Sequence, residues 1–347
     1  MIDDSGLIEK RKSEHIQINL DQDVQAKGVA TGLERYQFIH AALPEMDLNE
    51  IDTGVNFLNH RLAVPIVISS MTGGVKVGSE INRRLATVAQ SLGCAMGVGS
   101  QRAAIVNPAF EPLFQVRDVA PDILLLANLG AIQLNYGFGV DQCRRAVDMI
   151  GADALVLHLN PLQEALQAEG NVDFSNLVSK IAAISRSIDV PVVVKEVGWG
   201  ISSSVARQLA EAGVAAIDVA GAGGTSWSEV ERLRTPSALL RRVSRTFAGW
   251  GIPTVDTLHM ARAGAPEVPL IASGGLRSGL DAAKVIALGA HLAGFAAPLL
   301  KAAAVSEAET HEVLAAIVLE LRISMFCTGA KDIAQLKTAT LECNAGP

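Results

Sequence analysis

The stretch Ala154-Leu-Val-Leu-His-Leu-Asn-Pro-Leu-Gln-Glu164 decides how the fold is read. It begins as a short apolar run, the pattern of a strand buried on both faces. It ends on four polar side chains: His158, Asn160, Gln163 and Glu164. A buried strand that presents polar groups at its C-terminal end is the layout of an active-site edge in a parallel α/β protein.

Working outward, the same run recurs at 64–69, 94–98, 123–127, 190–195, 216–220, 270–273 and 292–296. Helical periodicity follows most of these runs, at 79–92, 140–150, 176–187, 201–212, 278–288 and 299–321. Eight strand–helix units in one chain predict the α/β class and a (β/α)8 TIM barrel. An open doubly wound sheet would carry its phosphate fingerprint after the first strand. Here Gly223-Gly224 and Gly274-Gly275 fall after the sixth and seventh runs, where barrel loops hold phosphate. Residues 1–60 read as a charged, irregular N-terminal lead-in that lies against the barrel of 61–347, and about 226–267 reads as a polar, helical excursion with a further helix after Trp250-Gly-Ile-Pro-Thr254.

Composition narrows the function. The net charge of −7 and an aromatic content of 4% argue against a nucleic-acid surface. Cys94, Cys143, Cys327 and Cys343 form no C-x-x-C pair, which fits reduced thiols in a cytoplasmic protein. The first residues are acidic and polar, unlike a signal peptide, and no apolar run is long enough to span a membrane.

The strand ends carry the chemistry. Ser273-Gly274-Gly275 closes one run, and Ala296-Ala297 ends the next just before a helix start. Bare backbone N–H groups there suit a phosphate, and Thr225 could add a hydroxyl; the plainer reading is tight turns. Lys195 ends a buried strand, which is costly without a partner. That partner is a carboxylate such as Glu196, an electron-rich flavin, or a carbonyl substrate captured as a Schiff base. The Met71-Thr72-Gly73 loop, Ser100 and Asn128 end successive strands with groups that suit the edge of a planar heterocycle, or simply cap turns. Glu164 is the carboxylate of its stretch, either a Mg2+ ligand beside a phosphate or a solvated loop residue. His158 is a site residue or a satisfied core histidine. Arg11, Lys12 and Arg102 are candidate diphosphate binders, with an exposed charged terminus the plainer reading of the first two.

Taken together these residues resemble a family, the type II (flavin-dependent) isopentenyl diphosphate isomerases. The resemblance is carried by Arg11-Lys12-x-Glu-His-Ile, Ser70-Met-Thr-Gly-Gly74, Gly99-Ser-Gln-Arg102, Ala127-Asn-Leu-Gly130, His158-Leu-Asn-Pro-Leu-Gln-Glu164, Val194-Lys-Glu-Val-Gly198, Gly223-Gly-Thr-Ser226, Trp250-Gly-Ile-Pro-Thr254 and Ser273-Gly-Gly-Leu-Arg277, in family order. It implies FMN, Mg2+, NADPH as flavin reductant, isopentenyl and dimethylallyl diphosphate as ligands, and a homotetramer or homo-octamer. It carries FMN contacts onto Met71, Thr72, Gly73, Ser100, Asn128, Lys195, Thr225, Gly274, Gly275, Ala296 and Ala297. It carries substrate contacts onto Arg11, Lys12, Ser100, Gln101, Arg102, His158, Asn160 and Gln163, and the metal onto Glu164.

The implied reaction moves a double bond with no net redox change. An unactivated alkene offers no acidic handle, so the expectation is that reduced FMN serves as acid and base while Gln163 contacts substrate. Two rival activities are an FMN-dependent 2-hydroxy-acid dehydrogenase or oxidase, which requires an Arg and His pair late in the barrel where His259 and Arg262 lie in the excursion and the seventh strand's end offers only Ser273, and a Schiff-base aldolase using Lys195.

Overall fold

The computed structural model describes residues 5–344; residues 1–4 and 345–347, at the ends of the lead-in and barrel segments, lie outside the described residues. Eight parallel strands close into a barrel: β1 (Ile66–Ile68), β2 (Ala95–Gly97), β3 (Leu125–Gly130), β4 (Ala154–Leu159), β5 (Val192–Glu196), β6 (Ala216–Asp218), β7 (Leu270–Ser273) and β8 (Leu292–Phe295). Each strand pairs with its sequence neighbours, and β8 pairs with β1 to complete the circle.

Side-chain alternation builds the barrel interior in layers. The lower layer is apolar: Val67, Ala95, Leu126, Val156, Val193, Ala216, Ile271 and Leu292 pack together. A hairpin of Val55–Phe57 and His60–Leu62 closes the N-terminal end, with Phe57 and Leu62 packed into this cluster. Two residues further along each strand the same inward direction brings Ser69, Gly97, Asn128, His158, Lys195, Asp218, Ser273 and Gly294. The barrel therefore changes from hydrocarbon to polar within one layer. The outward residues, among them Ile66, Ile68, Leu155, Leu157, Val192 and Val194, join the larger core between sheet and helices.

The helical ring includes α2 (Lys76–Leu92), α3 (Arg102–Val106), α4 (Val140–Asp148), α5 (Pro161–Leu166), α6 (Leu177–Ser187) and α7 (Ser203–Glu211). Three features differ from the sequence reading. The lead-in, read as irregular, contains the 17-residue helix α1 (Ser5–Asp21), which packs on α8 (Trp227–Arg234) across the barrel mouth. The excursion of 226–267 contains α8 and α9 (Ala238–Thr246), but α10 (Thr254–Gly264) packs on α7 and β7 as the barrel's own sixth helix. Its Val255, Leu258 and Ala261 are buried at helical spacing, and Thr254 and Thr257 return their hydroxyls to Gly274 O and Ile201 O. After α11 (Gly279–Ala287), the single helix expected over 299–321 is two, α12 (Ala297–Val305) and α13 (Glu307–Thr328). Ser306 sits between them in extended backbone and caps α13 by accepting from Glu309 N at 3.0 Å. Among the described residues no helix is long and apolar enough to cross a membrane.

Candidate active site

A cavity of about 250 Å³ opens at the C-terminal ends of the strands. One wall is a bare backbone cradle. Gly274 and Gly275 have φ of 106° and 79°, conformations that favour glycine. A Cβ on Gly275 would lie 2.6 Å from the Gly223 backbone, and one on Gly274 would collide with Gly221 O. The loops after β6 and β7 thus approach as closely as backbone allows. Beside them α12 begins, with Ala296 as N-cap, Ala297 as first residue and Pro298 next. Its first N–H groups and positive dipole end, together with the two glycine loops, form a wall suited to a phosphate.

The floor is the polar layer. His158 Nδ1 lies 2.8 Å from Asn128 Oδ1. An amide oxygen only accepts, so the proton sits on Nδ1 and Nε2 is left as an acceptor. Burial, then the Lys195 charge, push His158 down to about 4, so the ring is neutral at ordinary pH. Lys195 donates to Glu196 O at 2.6 Å and lies 3.8 Å from Asp218 Oδ2. Glu196 turns away from the cavity: its Oε2 accepts from the N–H groups of Val197, Gly198 and Trp199 at 2.5–2.7 Å. Burial nevertheless pushes its carboxyl up to about 7. Ser69 Oγ, also in this layer, is buried without a partner.

The opposite wall is the end of β4 and the first turn of α5. Asn160 precedes Pro161, which starts the helix, and its Nδ2 donates to Gln163 Oε1 at 3.2 Å and Glu164 Oε1 at 2.9 Å. Residues 163 and 164 both reach Asn160 because i+3 and i+4 share a helix face. Glu164 Oε2 also accepts from Asn171 N at 2.5 Å, and Gln163 Nε2 donates to Glu231 Oε1 at 3.2 Å. Asn160 Oδ1 is buried without a partner. Glu164 is the carboxylate residue among those lining the cavity, and no cluster of three or more His, Cys, Asp or Glu suits a metal among the described residues.

Helix α1 brings cations to the mouth. Lys12 Nζ donates to Gly73 O and Ser100 O at 2.7 Å each and lies 4.9 Å from the Phe114 ring centre. Burial, then Arg11, push Lys12 down to about 7. Arg11 donates to Gln167 Oε1 at 3.1 Å, and Arg102 to Asn171 Oδ1 at 3.2 Å.

Met71, Thr72, Gly73, Ser100, Asn128, Thr225 and every other residue expected at the site line this cavity, except one. Gln101 is fully buried in the barrel wall, where its amide donates to Ala146 O at 2.7 Å and accepts from Asn128 N at 2.8 Å. It braces β3 and cannot touch a ligand through its side chain. His15, Trp227, Gln167 and Arg277 also line the cavity and were not singled out. His15 lies one turn beyond Arg11 and Lys12, a spacing that becomes meaningful once that segment is a helix. His259 and Arg262 are not together at the mouth. Arg262 donates to Pro266 O and Gly289 O, and His259 packs edge-on to Tyr36.

The fold and the phosphate wall define the class: a flavin-type (β/α)8 barrel whose residues 145–343 match the FMN-dependent dehydrogenase family. Solved structures share the fold: mandelate oxidase with (S)-2-phenylpropionate at TM-score 0.65 and 18% identity, covering 99% of each chain, and Pediococcus acidilactici lactate oxidase at 0.67 and 15%, covering 98% of this chain and 93% of that one. Closer sequences are more specific. The isopentenyl-diphosphate delta-isomerase of Nostoc sp. (strain PCC 7120) is 52% identical over 96% of this chain and 95% of its own, and that of Rickettsia bellii (strain RML369-C) 49% over 97% and 98%. The chain belongs to the isopentenyl-diphosphate delta-isomerases, in the type II branch related to FMN-dependent dehydrogenases.

Proposed function

We propose that this chain converts isopentenyl diphosphate to dimethylallyl diphosphate in isoprenoid biosynthesis, with FMN and Mg2+ held in the barrel mouth and NADPH keeping the flavin reduced. The observation that carries the reading is the juxtaposition of two anion sites around one cavity. The glycine cradle and α12 start lie on one side, and Arg11, Lys12 and Arg102 on the other.

The residues fit FMN. Gly274, Gly275, Thr225, Ala296 and Ala297 would hold its phosphate. Met71, Thr72, Gly73, Ser100, Asn128 and the partnerless Ser69 hydroxyl would meet the polar ring edge, and Lys195 its electron-rich pyrimidine end. They fit Mg2+ only as a shared site: Glu164 supplies one carboxylate, and diphosphate and water complete the shell, as this ion prefers.

When bound, reduced FMN supplies the proton donor, the acceptor and the electron-rich face that an unactivated alkene needs. The chain's own residues do the rest. Arg11, Lys12 and Arg102 bind the diphosphate and fix the hydrocarbon's direction. Neutral His158 offers Nε2 as a hydrogen-bond acceptor and holds no exchangeable charge. Asn160 locks Gln163 and Glu164 into one orientation, so the amide contacts substrate while the carboxylate faces the metal. Helix α1 and Trp227 cover the mouth and exclude water from a cation-like transition state.

In this reading the protein assembles as a homotetramer or homo-octamer, measurable by light scattering. The decisive experiment is an anaerobic assay of the yellow holoprotein with and without NADPH. Isomerisation after reduction is expected; equal turnover by flavin-free protein overturns the reading. Flavin reduction by lactate or glycolate would instead indicate the oxidase chemistry of the structural relatives, for which His259 and Arg262 are wrongly placed.

A further inference from the structure

Asp218 is the charged member of the inward polar layer that the proposed reaction does not use. It stands beside Lys195 in register on the neighbouring strand, with Oδ2 3.8 Å from Nζ. Both side chains are shielded, at 12% exposure for Lys195 and 4% for Asp218. The other oxygen is fully engaged: Oδ1 accepts from Ser273 Oγ at 2.6 Å and from Ala220 N at 3.2 Å. Ala220, at φ 38°, is one of the few non-glycine residues in left-handed backbone, so this carboxylate also pins a loop that lines the cavity.

We propose that Asp218 is a positioning residue of the cofactor site, fixing the Lys195 ammonium that would meet the pyrimidine end of the ring and offsetting its charge, so that the site does not over-stabilise the anionic reduced flavin. This rests on FMN being the cofactor. The argument is one of economy of contacts. An amide at 218 could keep both of these bonds through its oxygen, though more weakly than a carboxylate does. What only the carboxylate adds is negative charge facing Lys195, and a buried acid is costly to keep unless that charge has a use. Burial pushes the Asp218 carboxyl above the ordinary range, and the Lys195 charge and the hydrogen bonds from Ser273 and Ala220 oppose that shift only in part. A reduced ring that must give and take back a proton requires a cation strong enough to bind it, yet not so strong that the ring resists protonation.

The test is the FMN midpoint potential of the holoprotein, measured spectroelectrochemically. Asp218→Asn leaves Lys195 uncompensated and is expected to move the potential positive by at least ~30 mV, a tenfold change for a two-electron couple. The shift is expected to vanish in a Lys195→Met background. An Asp218→Asn protein that binds FMN with an unchanged or lower potential overturns the proposal, as does a shift that persists without Lys195. A wild-type protein that takes up no FMN instead defeats the cofactor assignment. If Asp218→Asn does not accumulate, Asp218→Ser carries the same expectation. The wild-type reduced-minus-oxidised infrared difference spectrum should also contain a carboxyl band that moves with 13C-aspartate labelling; its absence overturns the proposal.

Discussion

Lys12 enters the cavity with its ammonium already held by two carbonyls and dehydrated by its surroundings. Its folded value of about 7 lies below the ordinary 10.5, so the unfolded chain binds more protons between those limits. Stability from this group therefore rises as pH climbs from 7 to 10.5 and is lost as pH falls through 7. An anion reverses the shift. Pyrophosphate binding at pH 7–8 should take up a proton, seen as a buffer-dependent calorimetric enthalpy, and Lys12→Gln should abolish that dependence. His158 has the same sign in a lower window. Its fall to about 4 keeps it neutral, so its contribution is complete above about 6.5 and lost as pH falls through 4. Glu164→Gln should raise the half-saturating Mg2+ concentration about tenfold, equivalent to ~1.4 kcal/mol, with FMN retained. An unchanged Mg2+ dependence removes Glu164 from the metal. Gln163→Ala should lower turnover with FMN still bound, because its amide lies beyond the phosphate wall. Residue types at strand ends were legible in the sequence. Gln101 was not: a polar residue after a strand has two uses, facing ligand or bracing the wall, and only its bonds to Ala146 and Asn128 distinguish them.

The loops and short helices carry most of the proposed binding groups. Gly275→Ala places a methyl 2.6 Å from the Gly223 backbone at a φ of 79°. Left-handed backbone alone costs ~1–2 kcal/mol, and the clash adds to it. The variant should keep its far-UV circular dichroism and lose FMN absorbance; full FMN occupancy would mean the cradle does not hold the phosphate. The glycine pairs and their positions after the sixth and seventh strands could be read directly. Helix α1 could not. Its apolar residues are few, and its Lys12 and His15 find partners on Gly73, Ser100 and Glu231, far along the chain. A helix that earns its stability from such contacts shows little periodicity of its own. A helix after Thr254 was legible, with Val255, Leu258 and Ala261 at helical spacing; that it belongs to the barrel ring was decided by its packing on α7 and β7.

At the scale of the molecule, the two proposed anion sites would make ligand binding and folding one equilibrium. FMN at a hundredfold excess over its Kd should stabilise the folded chain by ~2.7 kcal/mol, read as a rise in Tm of several degrees, and diphosphate with Mg2+ should add a further rise. No change with FMN would separate the barrel's stability from its proposed cofactor. The barrel itself was determined locally. Eight buried runs and the two-residue alternation set which side chains enter the interior and where hydrocarbon gives way to polar groups, because a strand's period is a covalent property of the backbone. Tertiary structure decided which of those polar groups meet. The Lys195–Asp218–Ser273 chain, the convergence of Gln163 and Glu164 on Asn160, and the closing of the mouth by α1 all depend on strands and helices distant in sequence. Their pairing follows from barrel closure and register, which no local pattern encodes.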